Sequence, residues 1–145
     1  MMMKKKLSHI AVITSRFNEA ITSQLKASAL KRLKERGIAP QQITVIDVPG
    51  AIEIPLIAKQ CAKKGIYHAV ICLGAVIRGE TSHYDYVCKQ VSDGCQQVMM
   101  QYNIPVIFGV LTTNNEAQAQ ARVDQSRDAV DAALEMVTLI DSIRC

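Results

Sequence analysis

The residues of this chain best suited to chemistry lie in the stretch 74–86, which follows an apolar strand and leads into a helix. Gly79 allows a close backbone turn, and Ser82 followed three residues later by Asp85 fits a capping box. Backbone N–H groups at such a helix start, together with the helix dipole, favour a bound anion. His83 stands on the first turn, where its imidazole could move protons near neutral pH. The stretch therefore predicts an anion-binding turn beside a proton carrier, although a plain capped helix with an exposed histidine explains the same residues.

Three further residues in predicted loops or helix ends have chemistry to offer, each with a structural alternative. Phe17 is a large apolar ring in a loop, which suits either stacking on a flat ligand or packing beneath the loop. Glu53 falls in the first turn of a predicted helix, where a carboxylate is also favoured by the dipole. Arg122 could supply a counter-charge for the anion or belong to a solvated helix face. Neither of the common glycine-rich nucleotide motifs occurs, and the three histidines show no paired ligand spacing for zinc.

Short apolar runs alternate with amphipathic segments along the chain. The runs predict buried strands at 10–13, 43–48, 69–73 and 106–111. Helical periodicity predicts helices from Ile21 to Leu33, from Ala51 to Lys64, from His83 to Gln101, and within Glu116 to Arg144, the last with Ala133, Met136, Ile140 and Ile143 on one face. This order predicts an α/β three-layer sandwich with a four-stranded parallel sheet in the flavodoxin-like order 2-1-3-4.

The predicted sheet brings the chemically interesting loops together. Ligands of open parallel sheets bind outside the carboxyl ends of the strands, near the point where the strand order reverses. The loops at that edge are 15–18, 49–53, 77–83 and 112–115. We therefore expect one shared site built from these four loops.

Composition narrows the class of protein. With 145 residues, 49% of them hydrophobic, the chain is expected to form a single domain over residues 1–145. No apolar run approaches the ~18 residues of a membrane span and no apolar secretory segment follows the opening Met-Met-Met-Lys-Lys-Lys, so we expect a cytoplasmic protein with no membrane partner.

The net charge of +4 comes from that solvated basic tip and from a lysine- and arginine-rich helix without interleaved aromatics, which speaks against nucleic-acid binding. Five cysteines without C-x-x-C spacing are expected to be reduced thiols.

At the four loops the sequence resembles the 6,7-dimethyl-8-ribityllumazine synthase family, the transferases that perform the penultimate step of riboflavin biosynthesis. The resemblance spans nearly the whole chain. It is carried by four ordered blocks, namely Ser-Arg-Phe-Asn at 15–18, Pro-Gly-Ala-Ile-Glu-Ile-Pro at 49–55, the stretch 74–86, and Phe-Gly-Val-Leu-Thr-Thr at 108–113.

The resemblance implies condensation of 5-amino-6-(D-ribitylamino)uracil with 3,4-dihydroxy-2-butanone 4-phosphate, with loss of phosphate and without a metal or organic cofactor. It implies that Phe17 stacks on the pyrimidine ring and that His83 moves protons. It assigns the remaining substrate contacts to Ala51, Ile52 and Glu53 for the ribityl chain, Val76 and Ile77 for the ring pocket, and Glu80, Thr81 and Arg122 for the phosphate. It further implies that Phe108 closes the pocket from a neighbouring subunit.

Two departures from the family pattern concern assembly. The family commonly has a lysine- and glycine-rich loop between its last two helices. Here the segment after Arg122, Val-Asp-Gln-Ser-Arg-Asp, leads directly into the last helix and is several residues shorter than that loop. The segment before Ile10 is also short compared with members that form icosahedral shells. We therefore expect a homopentamer or a pair of pentamers, and Arg127 is a candidate to replace the missing lysine charge.

Two other functions fit the same fold. Archaeal-type riboflavin synthase shares the architecture but lacks the Arg-Phe-Asn and His-Tyr-Asp-Tyr blocks. A non-catalytic flavin- or lumazine-binding protein would need a stacking ring such as Phe17 but no proton carrier. The presence of both His83 and Arg122 favours the enzyme.

Overall fold

The structure, a computed structural model, describes residues 8–145. It contains four strands, β1 (Ile10–Ser15), β2 (Ile43–Val48), β3 (Ala69–Ile77) and β4 (Val106–Thr113). The helices are α1 (Glu19–Glu35), α2 (Ile54–Lys64), α3 (His83–Tyr102), α4 (Glu116–Gln120) and α5 (Gln125–Arg144). The basic tip discussed above lies outside the described residues.

The strands form one parallel sheet in the order β2-β1-β3-β4, which confirms the predicted topology. The inner strands β1 and β3 are buried along nearly their whole length because helices cover both faces of the sheet. Ile10 of β1 pairs in register with both Ile43 of β2 and Ala69 of β3, so the carboxyl ends of these three parallel strands lie at one edge of the sheet. The candidate loops therefore share that edge.

Helices cover the sheet on both sides, as predicted. On one face α1 and α5 pack against alternate strand residues such as Val12 and Ile71, and on the other α2 and α3 pack against residues such as Ile13 and Val70. The predicted buried positions of α1 are at most 1% exposed, namely Ile21, Leu25, Ala29 and Leu33. The spacing of apolar residues thus identified the correct face of this helix.

The strand β3 continues four residues beyond the predicted end at Leu73. Gly74, the first residue after the predicted strand, therefore lies inside β3. A Cβ at Gly74 would lie 2.6 Å from the Ser15 Oγ, so the glycine permits a close approach of β1. The longer strand carries Val76 and Ile77 to the sheet edge.

The predicted start of α2 and the predicted face of α5 were wrong. The segment 51–53 forms a 3₁₀ turn and α2 begins only at Ile54. The last helical region divides into α4 and α5, and α5 buries Ala129, Val130, Ala133 and Val137. Met136 and Ile143, predicted to share a face with Ala133, are 40% and 82% exposed, because α5 packs through a neighbouring face that also includes Leu134. No helix in residues 8–145 is long and apolar enough to cross a membrane.

Candidate active site

A cavity of about 370 Å³ lies at the carboxyl ends of β1, β2 and β3. Eight of the eleven predicted site residues line it, namely Phe17, Ala51, Ile52, Glu53, Val76, Ile77, Thr81 and His83. They come from the loops after these three strands, the end of β3 and the start of α3. Three of the four predicted loops therefore meet in one place, whereas residues 112–115 do not line this cavity.

The loop that carries Phe17 is held by two backbone hydrogen bonds to the end of β2. The backbone N–H of Arg16 donates to the Val48 carbonyl (2.8 Å), and that of Phe17 donates to the Pro49 carbonyl (3.0 Å), which extends the β1–β2 pairing past the strand ends. The Phe17 ring is nevertheless 71% exposed. Packing beneath the loop is therefore not its role within this chain, and the ring presents an uncovered apolar surface at the cavity.

Asn18 is a lining residue that the sequence reasoning missed. Its backbone is left-handed, with φ 64° and ψ 48°, and its side-chain Nδ2 donates to the Ala75 carbonyl at 2.9 Å. It precedes α1, yet its side chain does not cap that helix. The signal was present, since asparagine tolerates this conformation better than most residues. Asn18 ties the Phe17 loop to β3 across the floor of the cavity.

The wall at 50–53 is a tight 3₁₀ turn. The backbone N–H of Glu53 donates to the Gly50 carbonyl at 3.2 Å, and the Glu53 side chain makes no capping bond to α2. A Cβ at Gly50 would lie 3.4 Å from the Glu53 Oε1, so the carboxylate lies above the glycine. Helix capping, the structural alternative for Glu53, is therefore not observed, and its carboxylate faces the cavity as a hydrogen-bond acceptor.

The turn before α3 differs from the predicted capping box. Ser82 occupies the position before the helix but makes no side-chain capping bond. Instead the Thr81 Oγ1 accepts from the backbone N–H of His83 at 3.3 Å, and the Asp85 carboxylate pairs with Arg78 at 3.4 Å. The box fails because Asp85 has a cationic partner in reach. His83 remains on the first turn of α3, at the cavity.

Tyr84 and Val87 also line the cavity, although the sequence reasoning passed over them. Val87 lies one helical turn after His83, so the spacing alone would have placed it on the same face. Burial raises the pKa of the Tyr84 phenol, and a hydrogen bond to Thr112 partly opposes this. Burial also raises the pKa of the neighbouring Cys88 thiol. Both groups are therefore uncharged at neutral pH and supply hydrogen bonds and packing.

Three predicted site residues lie outside the cavity. Glu80 is exposed on the turn before α3. Phe108 lies on the outer strand β4, is 39% exposed, and lines a different cavity of about 270 Å³ together with Asp128. Arg122 is exposed beyond α4, where its Nη1 donates to the Gln118 carbonyl at 2.9 Å. Within one chain, therefore, neither Phe108 nor Arg122 lines the cavity that contains Phe17.

Arg127 has a partner within the chain. Its guanidinium donates to Glu35 at 2.9 Å, linking α5 to α1, and this contact holds the pKa of the Glu35 carboxyl below its ordinary value. Its positive charge is thus already balanced between the two helices, which does not favour Arg127 as the substitute for the missing lysine. Among residues 8–145, no three His, Cys, Asp or Glu side chains are grouped as a metal site would require.

The cavity is lined by two kinds of residue. Phe17 and the β3 residues Val76 and Ile77 are apolar. Glu53, Thr81 and His83 contribute a carboxylate, a hydroxyl and an imidazole. Such a pocket suits a flat polar ring next to a small polar or anionic group, with a histidine able to exchange protons between them.

Comparisons with known proteins match most of the chain. Residues 8–141 match the family described as 6,7-dimethyl-8-ribityllumazine synthase. The proteins named 6,7-dimethyl-8-ribityllumazine synthase from Coxiella burnetii strains CbuG_Q212 and RSA 493 / Nine Mile phase I are each 52% identical over 139 residues, covering 92% of both chains. The protein of the same name from the Dugway 5J108-111 strain is 51% identical over the same length and coverage.

Proposed function

The chain belongs to the 6,7-dimethyl-8-ribityllumazine synthase family, and from this membership we propose which residues of its cavity bind each substrate and which residue moves protons. The chain is a transferase of riboflavin biosynthesis. It condenses 5-amino-6-(D-ribitylamino)uracil with 3,4-dihydroxy-2-butanone 4-phosphate to 6,7-dimethyl-8-ribityllumazine and releases phosphate. The same membership sets aside the archaeal-type riboflavin synthase alternative.

The pyrimidine ring stacks on Phe17. The observation that supports this placement is the 71% exposure of the ring at the mouth of a cavity that also contains Val76 and Ile77. An exposed aromatic face gains stabilisation when a flat ligand covers it. The ribityl chain then extends along residues 51–53, where backbone groups of the 3₁₀ turn and the Glu53 carboxylate offer hydrogen bonds to its hydroxyls.

The phosphate substrate occupies the polar end of the cavity. Thr81 supplies a hydroxyl there, and the turn of Glu80 supplies backbone beside it. The Ser82 side chain does not cap α3, so the start of this helix is available to an anion. The guanidinium that pairs with the phosphate is Arg122, brought by a second copy of the chain.

His83 moves protons during the condensation. The 5-amino group of the pyrimidine attacks the butanone carbonyl and forms an imine with loss of water. Elimination of phosphate follows, and the ribitylamino nitrogen then attacks the remaining carbonyl carbon and closes the second ring with loss of a second water; each step transfers a proton at carbon, nitrogen or oxygen. His83 lines the same cavity as Phe17 and Thr81, which supports the proposal that its one imidazole accepts and returns these protons.

The site is shared between copies of the chain. Phe108 and Arg122 lie away from the cavity of their own chain, and both are exposed for contact with a neighbour. The chain also exposes apolar residues beside the cavity, with Ile52 39% and Leu56 62% exposed, as expected of a surface that another subunit covers. We place the assembly at a homopentamer or a pair of pentamers, in the cytoplasm.

The test is turnover of the two substrates, followed by absorbance of the lumazine chromophore and compared with the spontaneous reaction. Enzyme function predicts a rate well above the background and a loss on His83→Ala. A non-catalytic lumazine-binding protein would give tight product binding with no rate above the background, and that result would reject catalysis.

A further inference from the structure

Arg78 contacts α3 and the end of β4 beside the cavity without lining it. It follows the last residue of β3, and its backbone N–H donates to the Thr113 carbonyl at 2.9 Å, which extends the β3–β4 pairing by one residue. Its side chain is 43% exposed. The residue is thus anchored by its backbone to the sheet while its guanidinium lies outside the cavity wall.

The guanidinium joins the start of α3 to the end of β4. Its Nε donates to the Asn114 Oδ1 at 3.1 Å, and its Nη2 donates to the Asp85 Oδ1 at 3.4 Å. Its Cζ also lies 4.4 Å from the centroid of the Tyr84 ring, in a cation–π contact. Tyr84 and Asp85 both belong to the first turn of α3, so Arg78 holds that turn from the outside.

Besides Arg78, the side chain that ties the first turn of α3 to β4 is Tyr84, through its hydrogen bond to Thr112. Ser82 makes no capping bond, and the contact between the His83 N–H and the Thr81 Oγ1 is long, at 3.3 Å, and exposed. Helix starts without side-chain caps fray, since their first N–H groups have no partner within the helix. On its opposite side this same turn presents Thr81, His83 and Tyr84 to the cavity.

We propose that Arg78 is a positioning residue for the reaction, one that holds the first turn of α3 against β4 and thereby fixes the His83 imidazole over the substrates. This inference rests on the proton-transfer role proposed for His83. The planar guanidinium is suited to the task because it stacks on Tyr84 while two edge nitrogens reach acceptors on different elements. A lysine ammonium retains the charge but cannot make all three contacts in that geometry.

The inference is tested by steady-state kinetics of Arg78→Met, Arg78→Lys and Asn114→Ala. Displacing a catalytic group lowers the rate, so a partly loosened turn is expected to lower kcat about threefold in Arg78→Met, less than the loss in His83→Ala, which removes the imidazole altogether. The KM for the ribitylaminouracil should stay within about twofold, because Phe17 and residues 51–53 are untouched. Arg78→Lys should fall between Met and the wild type, and Asn114→Ala should show a smaller loss in the same direction.

Arg36→Met is the matched control. Arg36 is similarly exposed, at 39%, and pairs with Asp131 at 2.7 Å, far from the cavity on the α1–α5 side. Its replacement should leave kcat unchanged. Native mass and thermal unfolding accompany each variant, and if Arg78→Met does not fold, Arg78→Lys and Asn114→Ala carry the test.

The decisive comparison places Arg78→Met in a His83→Ala background. If Arg78 acts through His83, the double variant has the kcat of His83→Ala alone, because there is no imidazole left to position. Multiplication of the two losses would overturn the inference. So would a change confined to the KM of the butanone phosphate and fully restored by lysine, which would make Arg78 a direct anion ligand. His83→Ala by itself tests the proton-transfer role of His83. An unchanged kcat in that variant would reject both this role and the positioning role of Arg78, whereas turnover above the background would still establish the enzyme.

Discussion

Replacement of Phe17 separates substrate binding from stability, because the ring is exposed in the chain. At 71% exposure, only about 60 Å² of its roughly 200 Å² is withdrawn from solvent by the chain itself, which corresponds to about 1.5 kcal/mol of hydrophobic stabilisation. Truncation of a fully buried phenylalanine typically costs about 3–5 kcal/mol. Phe17→Ala should therefore unfold only slightly more easily than the wild type.

The same replacement should weaken binding of the pyrimidine strongly. Stacking of a base on an aromatic side chain is worth about 1–3 kcal/mol, so the KM for 5-amino-6-(D-ribitylamino)uracil should rise by roughly 5- to 150-fold. The KM for the butanone phosphate should change little, since we propose that this substrate binds at Thr81 and Arg122 rather than at Phe17. The assay is steady-state kinetics with each substrate varied in turn, alongside thermal unfolding of the same preparation.

Two conservative variants make this prediction specific to a flat ring. Phe17→Tyr keeps the ring and should keep a KM near that of the wild type. Phe17→Leu keeps an apolar side chain but has no ring and should behave like alanine. An unchanged KM in Phe17→Leu, or equal losses in the leucine and tyrosine variants, would refute stacking as the role of this residue.

The remaining predictions concern the proton carrier, the shared site and the helix layer. His83→Ala should lower kcat by about tenfold, at or below the low end of the ~10² to 10⁴ attributed to positioned proton transfer, because the reaction also proceeds spontaneously; a value unchanged from the wild type would remove the role. Arg122→Ala should raise the KM for the butanone phosphate, and mixed assemblies refolded from Phe17→Ala and Arg122→Ala chains should regain activity, since some interfaces then combine an intact Phe17 with an intact Arg122; equal inactivity of mixed and unmixed assemblies would place both residues in the site of one chain. Hydrogen bonds from Arg32, and also from Arg36, hold the pKa of the Asp131 carboxyl below its ordinary value, so its contribution to stability is present above the unfolded pKa of about 3.9 and is lost as the pH falls through the folded pKa. Asp131→Asn should therefore lower Tm at pH 7 by a small amount, and the two melting curves should converge near pH 2; a constant difference at both pH values would contradict the ion pair as its cause.

The architecture was predictable because both faces of a parallel sheet are buried. Strands such as β1 and β3 must be apolar along their whole length, which distinguishes them from the amphipathic helices between them. The meeting of the loops then followed from the rule that ligands bind at the carboxyl ends of the strands. Phe17, Glu53 and His83 were found together for this reason.

The errors arose where a local pattern had a competing tertiary partner. The apolar run 69–73 suggested a strand that ends at Leu73, but β3 continues to Ile77 through its pairing with β4. Ser82 and Asp85 have the spacing of a capping box, but Asp85 pairs with Arg78 from the end of β3. Ile143 follows the helical period of Ala133, yet α5 docks through other positions. Each outcome depends on which partner lies closer in space, and spacing along one segment does not contain that information.

The most direct measurement of the central claim is a crystal structure of the assembly with the lumazine product and inorganic phosphate bound. The account predicts that the ring lies on Phe17 beside Val76 and Ile77, that the ribityl chain follows residues 51–53, and that the phosphate meets Thr81 together with Arg122 of a second copy. His83 should then lie between the ring and the phosphate. A ring bound away from Phe17, or a phosphate held without Arg122 of any copy, would contradict the proposed site.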